Sequence, residues 1–387
     1  MQFANEFLVN TETDASQEAA CIAFTTGRYC IAWRSRDAGG PTIRLRLFGL
    51  DDQASGDEVI VYADVLMVPG SPKVAALANG DFVVVWPAED GDDTFPILSR
   101  LFDPSGNARG PAEVVPHGSG RPSLGDVIGL SDGGYLVSWS VIEMDQPSLP
   151  VSIGATIFDR AGAQGVLMDV TEPAPLGRSA PRIAELADGA LFFAWDRLKR
   201  VVDPTHARIE GRIMERSGGA RSDILEVSQA ERGIKSQVST AVMKSGDVMT
   251  VWGYDSSAQD QDGIAIMARI LAPNGTGRGD EWQVNSMTSG PQVAPAICVL
   301  DDGMVAMTWT TGDPAQDGSK AAIIVRGYDP TGQRSPGEFR FNQLALGEQE
   351  RSVIAPLENG RFVVAWQSMD GAHDDSGWGI KARSGAF

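Results

Sequence analysis

Tryptophan recurs at Trp33, Trp86, Trp139, Trp195, Trp252, Trp309 and Trp366, at spacings of 53, 53, 56, 57, 57 and 57 residues. Six residues before each stands a glycine: Gly27, Gly80, Gly133, Gly189, Gly246, Gly303 and Gly360. A period of this length, held from one end of the chain to the other, marks a repeat architecture. The 387 residues therefore do not translate into two or three separate domains.

Within one period the pattern alternates with the β repeat of two. The residue before the glycine is often Asn or Asp, as in "LANGDF", "LADGAL" and "LDDGMV", and Asn-Gly or Asp-Gly between apolar alternations signals a hairpin whose two central residues take positive φ. The strand that follows ("FVVVW", "LFFAW", "FVVAW") is apolar on both faces, so neighbouring units must cover it on both sides. After a variable polar loop comes a second strand ending in Asp-Pro-x-Gly, as in "IIVRGYDPTG" and "ILSRLFDPSG", where proline and glycine preset a turn. A last strand follows, clear in "GEFRFN" (337–342) and "GDEWQVN" (279–285). Four antiparallel strands per unit, repeated seven times, predict an all-β chain folded as one seven-bladed β-propeller over residues 1–387. Strands a to d denote the four in chain order. The last unit lacks its strand d while "NEFLVN" (5–10) has no unit before it. That segment is expected to complete the blade at about 349–387 and so close the ring.

The D/N-G-x-x-x-x-x-W and R-x-[FY]-D-x-x-G elements resemble the tryptophan-containing repeats of about 57 residues found in large bacterial secreted and surface proteins, often beside hemolysin-type calcium-binding repeats. The resemblance covers essentially the whole chain and implies a propeller and an extracellular, cell-surface or particle-borne setting. It implies no defined activity. The chain lacks a G-G-x-G-x-D nonapeptide array, the Ser-x-Asp-x-Gly-x-Thr-Trp box of sialidase-like propellers and the Trp-Asp and Gly-His signatures of WD40 repeats.

A net charge of −19 argues against nucleic acid and anionic membranes as partners. No run of 18 apolar residues suggests membrane insertion, and the first twenty residues carry no Sec-type leader pattern, which leaves a cytoplasmic setting open. Cys21, Cys30 and Cys298 read as buried free thiols, with a Cys21–Cys30 bridge across one hairpin left open.

Function is expected in the variable loops after each tryptophan. Several are rich in Asp: Asp90, Asp92 and Asp93, or Asp260 and Asp262, offer the hard oxygen ligands that calcium takes, although solvated turns use the same residues. The loop 196–208 of the fourth unit is basic in an acidic protein. Arg197, Lys199, Arg200, His206 and Arg208 could anchor a uronate or sulfate, or could pair with neighbouring carboxylates. Trp378, off the repeat register beside His373, Asp374 and Asp375, is the best candidate for stacking on a sugar. An arginine recurs in strand c at Arg46, Arg100, Arg212, Arg269, Arg326 and Arg383, with Thr156 in the third unit. Such periodicity points to structure, with strand-d acids such as Glu281, Glu338 and Glu6 as expected partners.

Three histidines in three different units make a His-rich zinc site improbable, and no nucleophile elbow, P-loop or dinucleotide fingerprint occurs. No catalytic residue is assigned. The reading is a non-enzymatic recognition module for polysaccharide or a surface protein. A polysaccharide lyase or glycoside hydrolase, and a structural part of a larger assembly, stand as alternatives.

Overall fold

The computed structural model describes residues 2–13, 16–37, 39–64, 66–90, 95–118, 120–144, 149–174, 177–179, 181–197, 207–230, 233–255, 263–313, 320–335, 337–345, 347–369 and 377–387. These residues form 30 β-strands and no helix. The strands make seven antiparallel sheets in chain order, a seven-bladed β-propeller with four-stranded blades. By internal contacts the chain divides into two compact units, Met1–Val114 with Ala296–Phe387, and Val115–Pro295. Blades one, two, six and seven fall in the first, and blades three, four and five in the second.

Each repeat tryptophan is at most 2% exposed, and its partners show why. Trp33 of blade one packs with Ala355, Val363 and Ile380 of blade seven. Trp86 packs with Ile43, Leu45 and Val61 of blade one, and Trp366 with Cys298, Ile323 and Val325 of blade six. In the second unit Trp195 lies against Leu136, Ile153 and Val170 of blade three, and Trp252 against Phe192, Ile209 and Ile213 of blade four. In these five blades the indole thus covers the sheet before it. Burying one withdraws roughly 200 Å² from water, about 5 kcal/mol at 25 cal/mol/Å².

The a–b turns differ from the expected two-residue form. In blades two to six the glycine N–H donates to the carbonyl three residues back, as Gly80 to Leu77 at 2.9 Å, while Leu77 N–H reaches the Asp81 carbonyl at 2.8 Å. The glycine alone has positive φ, for example +88° at Gly80, which is a type I turn followed by a glycine bulge. Only in blade seven does the residue before it, Asn359, share the left-handed region.

The strand-c arginines do not in general seek acids. Arg46, Arg100, Arg212, Arg269 and Arg383 donate Nη1 to the carbonyls of Val9, Val61, Val170, Val227 and Phe341, each in the outer strand region of the preceding blade. Arg326 does pair with a carboxylate, Glu338, at 2.8 Å. Thr156 of blade three plays the clamp with its shorter side chain, donating Oγ1 to Pro116 O at 3.1 Å. Glu281 accepts from the Gln229 and Ala230 amides instead. An outer strand leaves carbonyls without a ladder partner, and a buried carbonyl left unmet is costly; a long, always-charged donor meets that need.

The N-terminal strands Gln2–Phe3 and Phe7–Leu8 pair with Gly379–Ala386 of blade seven. Glu6 and Lys381 form a buried ion pair there at 2.8 Å, with side chains 6% and 3% exposed. Glu6 also accepts from Gln343 N–H at 2.7 Å, and the Asn10 side-chain oxygen caps Ile380 N–H at 2.7 Å. All three cysteines are free and buried.

Two stability outcomes follow from these contacts. Glu6→Ala strands a buried ammonium and should cost about 3–5 kcal/mol, whereas Glu6→Met with Lys381→Met should recover most of that loss; urea midpoints at constant m-value measure both. Arg269→Met leaves the Val227 carbonyl without its clamp and should cost about 1–3 kcal/mol, read in the same way.

Candidate functional site

A cluster of charge lies at the b–c loop end of blade four, entirely within the second unit. Strand b of this blade is Leu191–Arg197 and strand c is Arg208–Met214. Their register places Arg197 opposite Arg208, and an isolated bridge places Arg178 opposite Arg197. Directly opposed residues project from the same face, so three guanidinium groups stand side by side on the edge of one sheet. Like charges so placed repel, and the blade must offset them.

It does so unevenly. Arg197 Nη1 meets Glu210 Oε1 at 2.5 Å, with the Glu210 side chain 5% exposed, and Arg208 pairs with Glu226. Among the described residues Arg178 forms no carboxylate ion pair; its Nη1 donates to Val151 O at 3.1 Å, Thr171 Oγ1 at 3.0 Å and Glu172 O at 2.7 Å in blade three. The Nε–H groups of Arg178 and Arg197 are both buried and meet no acceptor among the described residues. Burial pulls the Arg178 guanidinium below its usual range; Glu210 opposes that shift and Arg197 adds to it. Beside the row, Asp196 is bonded to the Ser179 hydroxyl, and burial raises its carboxyl above the ordinary range. Three guanidinium groups stand against the carboxyl groups of Glu210, Glu226 and Asp196, and the part-exposed guanidinium edges offer paired donors of the kind that suit a small anion.

Counting back from the tryptophans explains why blade four is different. Gln17, 16 residues before Trp33, and Gln349, 17 before Trp366, accept the indole N–H at 2.8 and 2.9 Å. Gln292 occupies the corresponding place before Trp309. In blade four this position is Arg178, and Glu210 from strand c takes over as acceptor for Trp195 Nε1 at 3.3 Å. In blade five it is Lys235, fully buried, with Nζ donating to Ala207 O at 3.1 Å and 4.8 Å above the Tyr254 ring. No acceptor takes over for the Trp252 N–H among the described residues. Desolvation lowers Lys235 from its ordinary 10.5 to about 8; Glu281 resists and Arg208 assists. The substitution of Gln by Arg and Lys in two successive repeats was visible in the sequence to anyone aligning back from each tryptophan.

The remaining candidates are placed separately. Of the fourth loop, Arg197 and Arg208 are described; Lys199, Arg200 and His206 lie outside the described residues, as do His373, Asp374, Asp375, Asp92, Asp93, Asp260 and Asp262. Asp90 sits at the end of strand b of blade two, opposite Met67. Among the described residues no three His, Cys, Asp or Glu side chains gather to hold a metal ion. Trp378 is half-buried, and its carbonyl accepts Gln17 N–H at 2.6 Å. His117, the one described histidine, stands edge-on to Trp139 with ring centres 6.3 Å apart.

No family model and no curated protein matches this sequence. Solved structures do match its fold. A protein of unknown function from Dyadobacter fermentans superposes with a TM-score of 0.58 at 13% identity, covering 84% of this chain and 96% of that one. A Penicillium chrysogenum α-L-arabinanase, solved with arabinobiose, gives 0.55 at 12% identity, covering 86% and 99%. The Hadza microbial sialidase Hz136 gives 0.53 at 12% identity, covering 76% of this chain and 63% of that one. At such identities the likeness is one of fold.

Lys235 yields a pH outcome. Its folded-state pKa lies below its unfolded one, so the unfolded chain binds more protons between pH 8 and 10.5, and stability should rise with pH through that window. Lys235→Gln should remove this rise and supply the Trp252 N–H with an acceptor, gaining about 1–2 kcal/mol at pH 7. Urea unfolding of both proteins at pH 7, 9 and 10.5 checks it.

Proposed function

We propose that this chain is a non-catalytic recognition module, displayed outside the cell, that binds an acidic carbohydrate at the loop end of blade four. The observation that supports this is the row Arg178, Arg197 and Arg208, two of whose Nε–H donors meet no acceptor among the described residues. The Arg197 and Arg208 side chains are about a third exposed, so an incoming carboxylate or sulfate can reach their outer N–H groups. A guanidinium edge presents planar, paired donors that match both groups. In a chain of charge −19, a local cationic row is also where an anion escapes general repulsion. Fold neighbours that act on arabinan or carry the sialidase name favour carbohydrate as the ligand class.

The test uses polygalacturonate and dextran sulfate as probes, with neutral dextran as control, in isothermal titration at low and high salt. Binding of the acidic polymers should weaken with salt. Arg178→Gln restores the residue that blades one, six and seven carry at this position, so it should fold normally yet lower affinity at least about tenfold, near 1.4 kcal/mol. Equal binding by the variant overturns the assignment. Release of reducing or unsaturated chain ends by the wild type, abolished in Arg178→Gln, would replace the binding role with that of a hydrolase or lyase.

A further inference from the structure

Blade three ends in an outer strand unlike the others. It runs over 11 residues, Gln164–Ala174, where the outer strands of blades one, two, four, five and six span 5, 3, 2, 2 and 2 residues. The strand-c position differs in step with this in four of those blades. In blades one, two, four and five the arginine Nε holds a carbonyl ten residues downstream, at Gly56, Gly110, Ser222 and Gly279, and so fixes a loop between strands c and d. Thr156 cannot reach that far. Without the loop, strand d pairs along nearly the whole of Val151–Phe158, from Phe158↔Gln164 to Val151↔Ala174.

The result is a long edge at the end of its sheet. The Val170 and Glu172 carbonyls are taken by Arg212 and Arg178 of blade four, and the blade-four turn at Gly218 approaches Val166 and Met168; despite register shifts along the pairing, no further strand of the sheet pairs with Gln164–Asp169 among the described residues. Edges are normally blunted because their free N–H and C=O groups recruit another strand. This one also displays Leu167, 51% exposed. It adjoins a cleft of about 460 Å³, floored by Ile157, Phe158, Gly165 and Val166 and rimmed by Arg160 and Arg216. Arg216 is already paired to Asp132 and Glu185, while Asp159, Asp169 and Glu172 are exposed, so the surroundings are acidic on balance.

We propose that Gln164–Asp169 is a docking edge for an extended, basic segment of a partner protein, which adds a fifth strand to blade three and seats one apolar side chain in the cleft. Main-chain pairing supplies affinity in this mode, and alternate side chains supply selectivity. The acidic residues select lysine or arginine in the partner, and together with the net charge of −19 they repel a second copy of this chain.

The probe is a synthetic peptide alternating lysine with valine and phenylalanine, compared with its glutamate-for-lysine counterpart on the full chain. The lysine peptide should bind with a Kd below about 1 mM and slow amide exchange within Gln164–Asp169. Leu167→Lys should weaken it at least tenfold, and Asp169→Lys should shift preference toward the glutamate peptide. Both changes are on the surface, and an unchanged urea midpoint verifies that they leave the fold intact. Absence of binding, binding without exchange protection on this strand, or equal binding of both peptides overturns the proposal. Concentration-dependent dimerisation of the chain that Leu167→Lys abolishes overturns it in favour of self-association.

Discussion

The burial of the repeat tryptophans is the constraint on which the rest of this protein depends, and at Trp33, Trp86, Trp195, Trp252 and Trp366 the indole packs on the sheet that precedes it within its own unit. A four-stranded sheet with a central strand apolar on both faces cannot stand alone in water; it needs a cover on each side. The indole supplies the largest single piece of that cover, and it sits in strand b, where it reaches the neighbouring blade's strands b and c together. With this contact met, the turns and outer strands are free to vary in detail. Blade two splits its first strand into Met67–Pro69 and Lys73–Ala76, and blade seven takes its outer strands from the N-terminus, without disturbing the tryptophan layer.

A second layer of interactions ties the outer strands, through the backbone, to the next blade by arginine and to their own blade by asparagine. The strand-c arginines reach carbonyls about forty residues earlier, and Asn10, Asn285 and Asn342 cap the Ile380, Ile266 and Ile323 amides from the adjacent strand d. These donors and acceptors answer one problem, the unsatisfied groups of a short outer strand. Where the answer changes, so does the local surface. Thr156 in place of arginine goes with a strand d of blade three that runs on as an open edge, and Arg178 and Lys235 in place of glutamine bring positive charge to the layer beside the tryptophans of blades four and five. Both departures lie in the second unit, and they concern different ends of the same repeat.

Much of the fold was readable from residue order because its signals are short-range. Period-two apolar runs, Asp-Gly and Asp-Pro-x-Gly turns and the recurring tryptophan each act over a few residues, and their sevenfold repetition leaves a propeller as the economical way to bury them. The candidate site was less readable. The basic loop stood out by composition, and Arg197 does belong to the cluster, but Arg178 carries no such signal, because it sits about twenty residues before Arg197 in an isolated bridge ahead of strand a. The pairing of Arg197 with Glu210, which neutralises part of that loop, links a strand-b residue to one in strand c whose charge had no reason to stand out.

Sequence alone, then, determined the number of units, the order and class of their strands and the burial of the seven tryptophans, because those depend on local conformational preference and on the need to hide apolar surface. Only the tertiary structure decided that the periodic arginines clamp carbonyls more often than acids, that Arg178, Arg197 and Arg208 stand in one row, and that blade three keeps an open edge. Each of these turns on which polar groups a neighbouring strand leaves unmet. That is fixed by register across tens of residues, and no short-range pattern encodes it.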